Sequence, residues 1–362
     1  MKKEYAFYIT NHGFGHASRN VRIIQGILEK EPDSVIHIKT DSPRCKFLRK
    51  NLKKYESQII YYSDVSEVGF LLKGEKLEVD VQRMKILIEE DLKKWHEYIT
   101  HEEKFLVERQ ISVVISDIIP WILIAADKKK IPSVLLCNFT WFEMYSDFLP
   151  QDLCHPYFEA YQKAKKVFIY EFGAEVLDGY FKNAERVSFV SRRTKADHIN
   201  EIRERYVHPI VFVSVGKSIE MTEKFDVSNF AGTFLATAGV ELTGKNVVHL
   251  SPDLIATQDY IAASDYVITK SGWATLGEVF LNQKRAAVIA RGENSEDRAV
   301  IHSIEEDHTA VSITFKDLNN IPLIIERLDK LEIGRLKKYV DDAEMIIDYI
   351  VNKISEDYEE KN

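Results

Sequence analysis

His12-Gly13-Phe14-Gly15-His16 packs two imidazoles and two glycines into one short run, directly behind the apolar stretch Tyr5–Thr10. An imidazole with an ordinary pKa near 6.5 suits general-base work at neutral pH. His16, with Arg19 close behind it, is therefore a candidate catalytic base. A glycine-rich turn between a strand and a helix also aims backbone N–H groups at whatever sits above the helix N-terminus. The alternative for either histidine is structural: capping the helix or bonding a loop carbonyl. A dinucleotide fingerprint would read G-x-G-x-x-G. Here Gly13-Phe14-Gly15-His16-Ala17-Ser18 lacks the third glycine, and Asp41 comes late for a ribose contact, which argues against NAD.

A second constellation lies in SDYVITKSGWATLGEVFLNQKRAAVIARGENSEDR, residues 264–298. A strand runs into Lys270-Ser271-Gly272, and the helix that follows carries Thr275 and Glu278. The N-terminal amides of such a helix, with the Ser271 hydroxyl, form a neutral cradle for a diphosphate. Glu278 can reach a ribose diol with its carboxylate. The structural alternative makes Ser271 an N-cap, Gly272 a close-packing glycine and Glu278 a solvated side chain. Ser116-Asp117 ends another apolar strand. In a parallel sheet it emerges on the same edge as His16, where Asp117 can orient the imidazole and stabilise its cation. Capping the helix that starts near Pro120 is the competing role for Asp117. The turn Gly216-Lys217-Ser218 resembles the end of a P-loop, but Walker A needs a glycine where the chain has Val211.

Two weaker features complete the list. Trp141, Phe142 and Tyr145 follow a strand edge, where aromatic faces stack on an acceptor or pack between domains. Arg44, Lys46, Arg49, Lys50, Lys53 and Lys54 alternate with Phe47, Leu48 and Leu52. This basic amphipathic segment suits a solvated helix face, or contact with an anionic membrane or phosphorylated acceptor.

The elements that must position these groups follow from periodicity. Strands are expected at 5–10, 34–40, 58–63, 111–117 and 132–139, with a long helix from Val79 to about Arg109. The pattern restarts after residues 192–207, with strands at 208–218, 246–251, 265–272 and 285–292, and a charged helical end at 317–356. Strands that alternate with helices and lack polar alternation indicate parallel sheets covered on both faces. At 362 residues, two α/β domains are expected. In such sheets ligands bind outside the carboxyl ends of the strands.

Composition narrows the function. A net charge of −8 argues against general nucleic-acid binding. No apolar stretch of about 18 residues is present, and Met-Lys-Lys-Glu runs straight into a strand, so neither a membrane span nor a cleaved signal is expected. Cys45, Cys137 and Cys154 lie far apart, which points to a reducing, cytoplasmic compartment and away from a zinc site.

Ser271-Gly272-Trp273-Ala274-Thr275-Leu276-Gly277-Glu278 resembles the S-G-x-x-T-x-x-E donor motif of GT-B glycosyltransferases. The likeness is closest to the family of the lipid II GlcNAc transferase and to the arabinokinase-like N-terminal domain. Gly13-Phe14-Gly15-His16 is similar to that family's N-terminal loop, and HGFGHASR is closest to the arabinokinase-like branch. The resemblance implies two Rossmann-like, doubly wound parallel-sheet domains facing each other across a cleft. An acceptor domain would span 1–195 and a nucleotide-sugar domain 196–340. Residues 341–362 would be a C-terminal helix packing back on the first domain.

The resemblance also sorts the residues. His16 and Asp117 become the catalytic pair. Gly216, Lys217, His249, Lys270, Ser271, Gly272, Thr275, Glu278 and Asn294 fall on the donor side, and His12, Gly13, Gly15, Arg19 and Trp141 on the acceptor side. The implied activity is transfer of a hexosyl or N-acetylhexosaminyl group from a nucleotide sugar, UDP-linked by preference. It would invert the anomeric centre, with a carbohydrate, lipid-linked or small-molecule acceptor. No metal and no cofactor are implied beyond this co-substrate, and there is no D-x-D pair. The chain departs from the family at Arg291–Arg298, where Ala299 and Val300 replace common glutamines, and at SVGKS, which stands for a double glycine. A nucleotide-sugar 2-epimerase and a non-catalytic nucleotide-sugar-binding subunit are the alternatives.

Overall fold

A computed structural model describes residues 2–65, 67–71, 79–215, 224–290 and 295–354. They form two compact units, one built on residues 2–188, 295–296 and the segment from Asp342, the other on residues 189–290 and 297–341.

The first unit contains strands β1 (Glu4–Ile9), β2 (Val35–Lys39), β3 (Ile59–Tyr62), β4 (Val113–Asp117), β5 (Ser133–Cys137), β6 (Lys166–Tyr170) and β7 (Ala184–Val187). They make one seven-stranded parallel sheet in the order β3-β2-β1-β4-β5-β6-β7. The central strands β1, β2, β4 and β5 are largely apolar and enclosed on both faces, so that even His37 and Lys39 of β2 are buried. Helices α1 (Gly15–Lys30), α2 (Ser42–Asn51), α3 (Val81–Glu108), α4 (Trp121–Lys128), α5 (Trp141–Ser146) and α6 (Gln151–Tyr161) connect them. Met84, Ile88, Trp95, Ile99 and Leu106 recur at helical spacing along α3 and bury against the sheet and α4. Asp80 caps α3 by accepting from the Arg83 N–H, and Asp41 caps α2 through the Arg44 N–H.

The second unit contains β8 (Ile210–Ser214), β9 (Lys224–Asp226), β10 (Thr233–Ala236), β11 (Glu241–Thr243), β12 (Val247–His249), β13 (Tyr266–Lys270), β14 (Arg285–Ile289) and β15 (Val311–Ile313). Six of these form a parallel sheet in the order β12-β10-β8-β13-β14-β15, and β11 pairs with β9 separately. Its helices are α7 (Ala196–Arg205), α8 (Thr257–Ala263), α9 (Trp273–Leu281), α10 (Ser295–Asp307) and α11 (Ile321–Asp329). The chain then returns to the first unit with α12 (Ala343–Asp348), which lies on α1. Gly26 makes that contact possible, because a Cβ there would sit 2.1 Å from Ile347 Cδ1.

Strand order reverses beside β1 and β4 in the first sheet, and beside β8 and β13 in the second. Crevices at the carboxyl ends of such switch points are where doubly wound sheets take ligands. Both glycine motifs follow strands at these positions.

Candidate functional site

In the first unit, Ile9 lies opposite Asp117 in register, so the end of β4 stands beside the glycine turn leaving β1. Gly13 has a φ of +73° with open space where a Cβ would be, so the turn needs glycine for its backbone conformation, not for room. Arg44 holds this loop by donating from Nε to the Gly13 carbonyl at 3.0 Å and stacking on Phe14. Helix α1 then begins at Gly15, with no side chain capping its first turn.

Asp117 is fully buried and receives four donors. His16 Nδ1 lies 2.7 Å from Oδ1, Arg19 Nε is 2.8 Å from Oδ2 and Arg19 Nη2 2.5 Å from Oδ1, and Asn20 Nδ2 is 2.5 Å from Oδ2. Burial alone would raise the carboxyl, but the Arg19 and His16 charges and hydrogen bonds overcome it and hold Asp117 at about 2. Burial lowers the pKa of His16; Asp117 offsets part of that, and Arg19 and Arg44 add to the lowering. Arg19 Nη2, which carries two hydrogens, donates to Asp117 Oδ1 and also lies 2.9 Å from His16 Nδ1. The anionic carboxylate favours the tautomer in which Nδ1 donates, which puts the lone pair on Nε2. Among the described residues Nε2 makes no hydrogen bond. The arrangement is an oriented, neutral imidazole with a free basic nitrogen at the lip of a parallel sheet.

The structure places the expected acceptor-side residues unevenly. His12 and Gly15 are half-buried in the turn, with the His12 ring edge-on to Trp141 at 5.2 Å. Trp141 itself is enclosed, stacked on Tyr145 with the rings 14° apart, so its face packs the core. Arg19 is likewise interior: Nη1 donates to Asn138 Oδ1 at 2.8 Å, and its guanidinium lies over Tyr170. Both hold the site from behind. The basic stretch resolves into α2, whose Arg44 ties down the glycine turn while Lys46 and Lys50 are exposed.

In the second unit, Thr269 pairs with Ser214, so the turns after β8 and β13 leave the sheet side by side. Gly216, Lys217 and Asn294 lie outside the described residues. Lys270 and Thr275 are half-buried and His249 is exposed at the end of β12. Gly272 occupies the N-cap of α9 and brings no side-chain cap to it. The Ser271 hydroxyl does not cap; it donates to Asp297 in α10. A Cβ on Gly272 would meet nothing nearer than Lys270 Cε at 3.7 Å, so close packing does not explain this glycine. The close-packed one is Gly277, where a Cβ would come within 2.8 Å of Phe189.

Glu278 is buried, not solvated. Its Oε1 receives Arg192 Nε at 2.9 Å and Nη2 at 2.8 Å, and burial, only partly offset by Arg192, raises its pKa. Sequence reading missed Arg192, Asp297, Asn20 and Asn138. The first sits in SRRTK, with no periodicity to single it out.

The two parallel sheets, their switch points and the strand–turn–helix motifs are those of the GT-B fold. The comparisons agree. A UDP-glucosyltransferase from Polygonum tinctorium that glucosylates indoxyl matches with a TM-score of 0.64, 13% identity and coverage of 100% of this chain and 98% of that one. Arabidopsis thaliana UGT89C1, complexed with UDP-L-rhamnose, matches with a TM-score of 0.64 at 12% identity over 100% and 98% of the two chains. L-arabinokinase of Arabidopsis thaliana is 24% identical over 326 residues, covering 87% of this chain and 31% of that protein, so the chain spans about a third of it. No family model matches the chain. Among the described residues no helix is long and apolar enough to cross a membrane.

Proposed function

We propose that this protein is a glycosyltransferase that moves a hexosyl or N-acetylhexosaminyl group from a UDP-sugar to an acceptor hydroxyl with inversion. The observation that carries this reading is His16, whose Nδ1 is fixed by Asp117 at 2.7 Å while Nε2 has no hydrogen-bonding partner among the described residues. Nε2 takes the proton of the acceptor hydroxyl as its oxygen forms a bond to the anomeric carbon. The bond from that carbon to the diphosphate breaks with its electron pair, and the nucleoside diphosphate leaves. Asp117 is a positioning residue that holds the ring and stabilises the imidazolium.

The leaving charge is received by the uncapped first turn of α9, whose amides and helix dipole favour an anion. Gly272 brings no side chain to this turn. Glu278 reads the ribose, with His249 toward the base. Because amides and the dipole carry the leaving charge, transfer is proposed to proceed without a divalent cation. The UDP complexes of proteins sharing the fold support the choice of nucleotide. The test is to incubate the protein with UDP- and GDP-sugars in EDTA with and without acceptor extracts. Acceptor-dependent UDP release supports the reading. Sugar isomerisation without transfer would indicate an epimerase, and nucleotide binding without turnover a binding subunit.

A further inference from the structure

Arg192 has no place in the transfer chemistry above, yet it is buried and every nitrogen of its guanidinium is engaged. Nη1 donates to the Ile255 carbonyl, Nη2 to Thr257 Oγ1 at 2.7 Å, and Nε and Nη2 both reach Glu278 Oε1. The guanidinium thus bridges three segments of the second unit: the strand-end loop carrying residue 192, the start of α8, and the middle of α9. Only one carboxylate oxygen of Glu278 is used. Oε2 accepts no hydrogen bond from the described residues and is not sealed from solvent. A planar guanidinium bound edge-on fixes a carboxylate more strictly than a lysine would.

We infer that Arg192 is a positioning residue for nucleotide recognition, holding Glu278 by Oε1 so that Oε2 faces the ribose hydroxyls of the donor. This rests on the proposed ribose role of Glu278. It adds that discrimination between ribose and deoxygenated sugar depends on a residue that does not touch the nucleotide. Without Arg192 the buried carboxyl loses its fixed rotamer and its charge partner. It then meets a diol no better than a neutral side chain does.

The test measures the affinities of UDP and 2′,3′-dideoxy-UDP by calorimetry for the wild type, Arg192→Gln, Arg192→Lys and Glu278→Gln. A hydrogen bond to a charged acceptor corresponds to a preference for UDP of roughly tenfold or more in the wild type. Arg192→Gln is expected to reduce that preference to within about twofold while dideoxy-UDP binds as before, and Arg192→Lys to restore part of it. A merely structural Arg192 would weaken both nucleotides by the same factor, and that result overturns the inference. So does an undiminished preference in Arg192→Gln, or in Arg192→Lys if the glutamine variant fails to fold. Glu278→Gln separates the two levels. If it keeps the full preference, the ribose role of Glu278 itself fails; if it loses the preference while Arg192→Gln retains it, only the positioning role fails.

Discussion

Replacing Asp117 with asparagine tests the packing logic of the first unit most sharply. The carboxylate is fully buried and takes four donors from His16, Arg19 and Asn20. An amide accepts through its oxygen alone and sets an NH2 group against a donor. It also leaves Arg19, only 2% exposed, as a buried cation without its counterion. Breaking a buried pair by removing one partner costs about 3–5 kcal/mol. With a urea m-value of about 2 kcal/mol/M, the unfolding midpoint of this unit should fall by roughly 1.5–2.5 M. Trp95, Trp121 and Trp141 all belong to this unit, and only Trp273 to the other, so fluorescence follows mainly the transition in question. Arg19→Met in the same chain removes the stranded cation. The double variant should therefore be more stable than the sum of the two single losses by about 1–3 kcal/mol. An unchanged midpoint in Asp117→Asn, or strictly additive costs, would refute the claim that the carboxylate's charge organises this cluster.

Other expectations follow from the same geometry. His16 must be neutral to accept a proton, and burial lowers its pKa, so the acid limb of kcat/KM should lie below pH 6.5; a limb at or above the free-histidine value contradicts the environment described. Gly272→Ala has room in the fold and should leave Tm unchanged while UDP binding weakens, because the methyl stands at the start of α9, where the diphosphate is proposed to bind. Gly277→Ala should instead destabilise the fold by about 1–3 kcal/mol through its clash with Phe189 and so lower Tm, and the reverse pattern would show that the two glycines have been assigned the wrong roles. Burial pushes Glu67 up to about 8, with the Thr10 hydroxyl and Asn11 N–H opposing. A folded pKa above the unfolded one gives stability that is full below about 4.5 and is lost as pH rises through 8. The Tm difference between wild type and Glu67→Gln should therefore shift against the wild type from pH 5 to about 9, and a difference independent of pH would show that Glu67 does not titrate in that range.

Much of the scaffold could be read from residues alone, for a physical reason. Strands enclosed on both faces are largely apolar, so SVVIS and SVLLC stand out between helical periodicities, and glycine turns mark the carboxyl ends of β1 and β13. The short edge strand β7, whose residues 184–186 are exposed, carries no such signal. The site was legible where one segment carries the chemistry, as in the turn from His12 to His16 or the run from Ser271 to Glu278. It was illegible where a buried charge depends on a distant partner. Arg192 and Glu278 are 86 positions apart, and Arg19 and Asn138 are 119 apart, so no local pattern joins them. Arg19 and Trp141 read as surface groups because a cation and an indole suit a ligand. Their burial follows from Asp117, Asn138 and Tyr170 around the first, and Tyr145 beneath the second.

The central claim is that His16 acts on the acceptor's proton and not on the donor nucleotide. The direct measurement pairs UDP affinity by calorimetry with the rate of UDP release from a UDP-sugar, for wild type and His16→Ala. The account predicts a loss of turnover of two orders of magnitude or more, typical of removing a general base, with the UDP dissociation constant unchanged. Undiminished turnover in His16→Ala, or an equal loss of UDP affinity and rate, would contradict it.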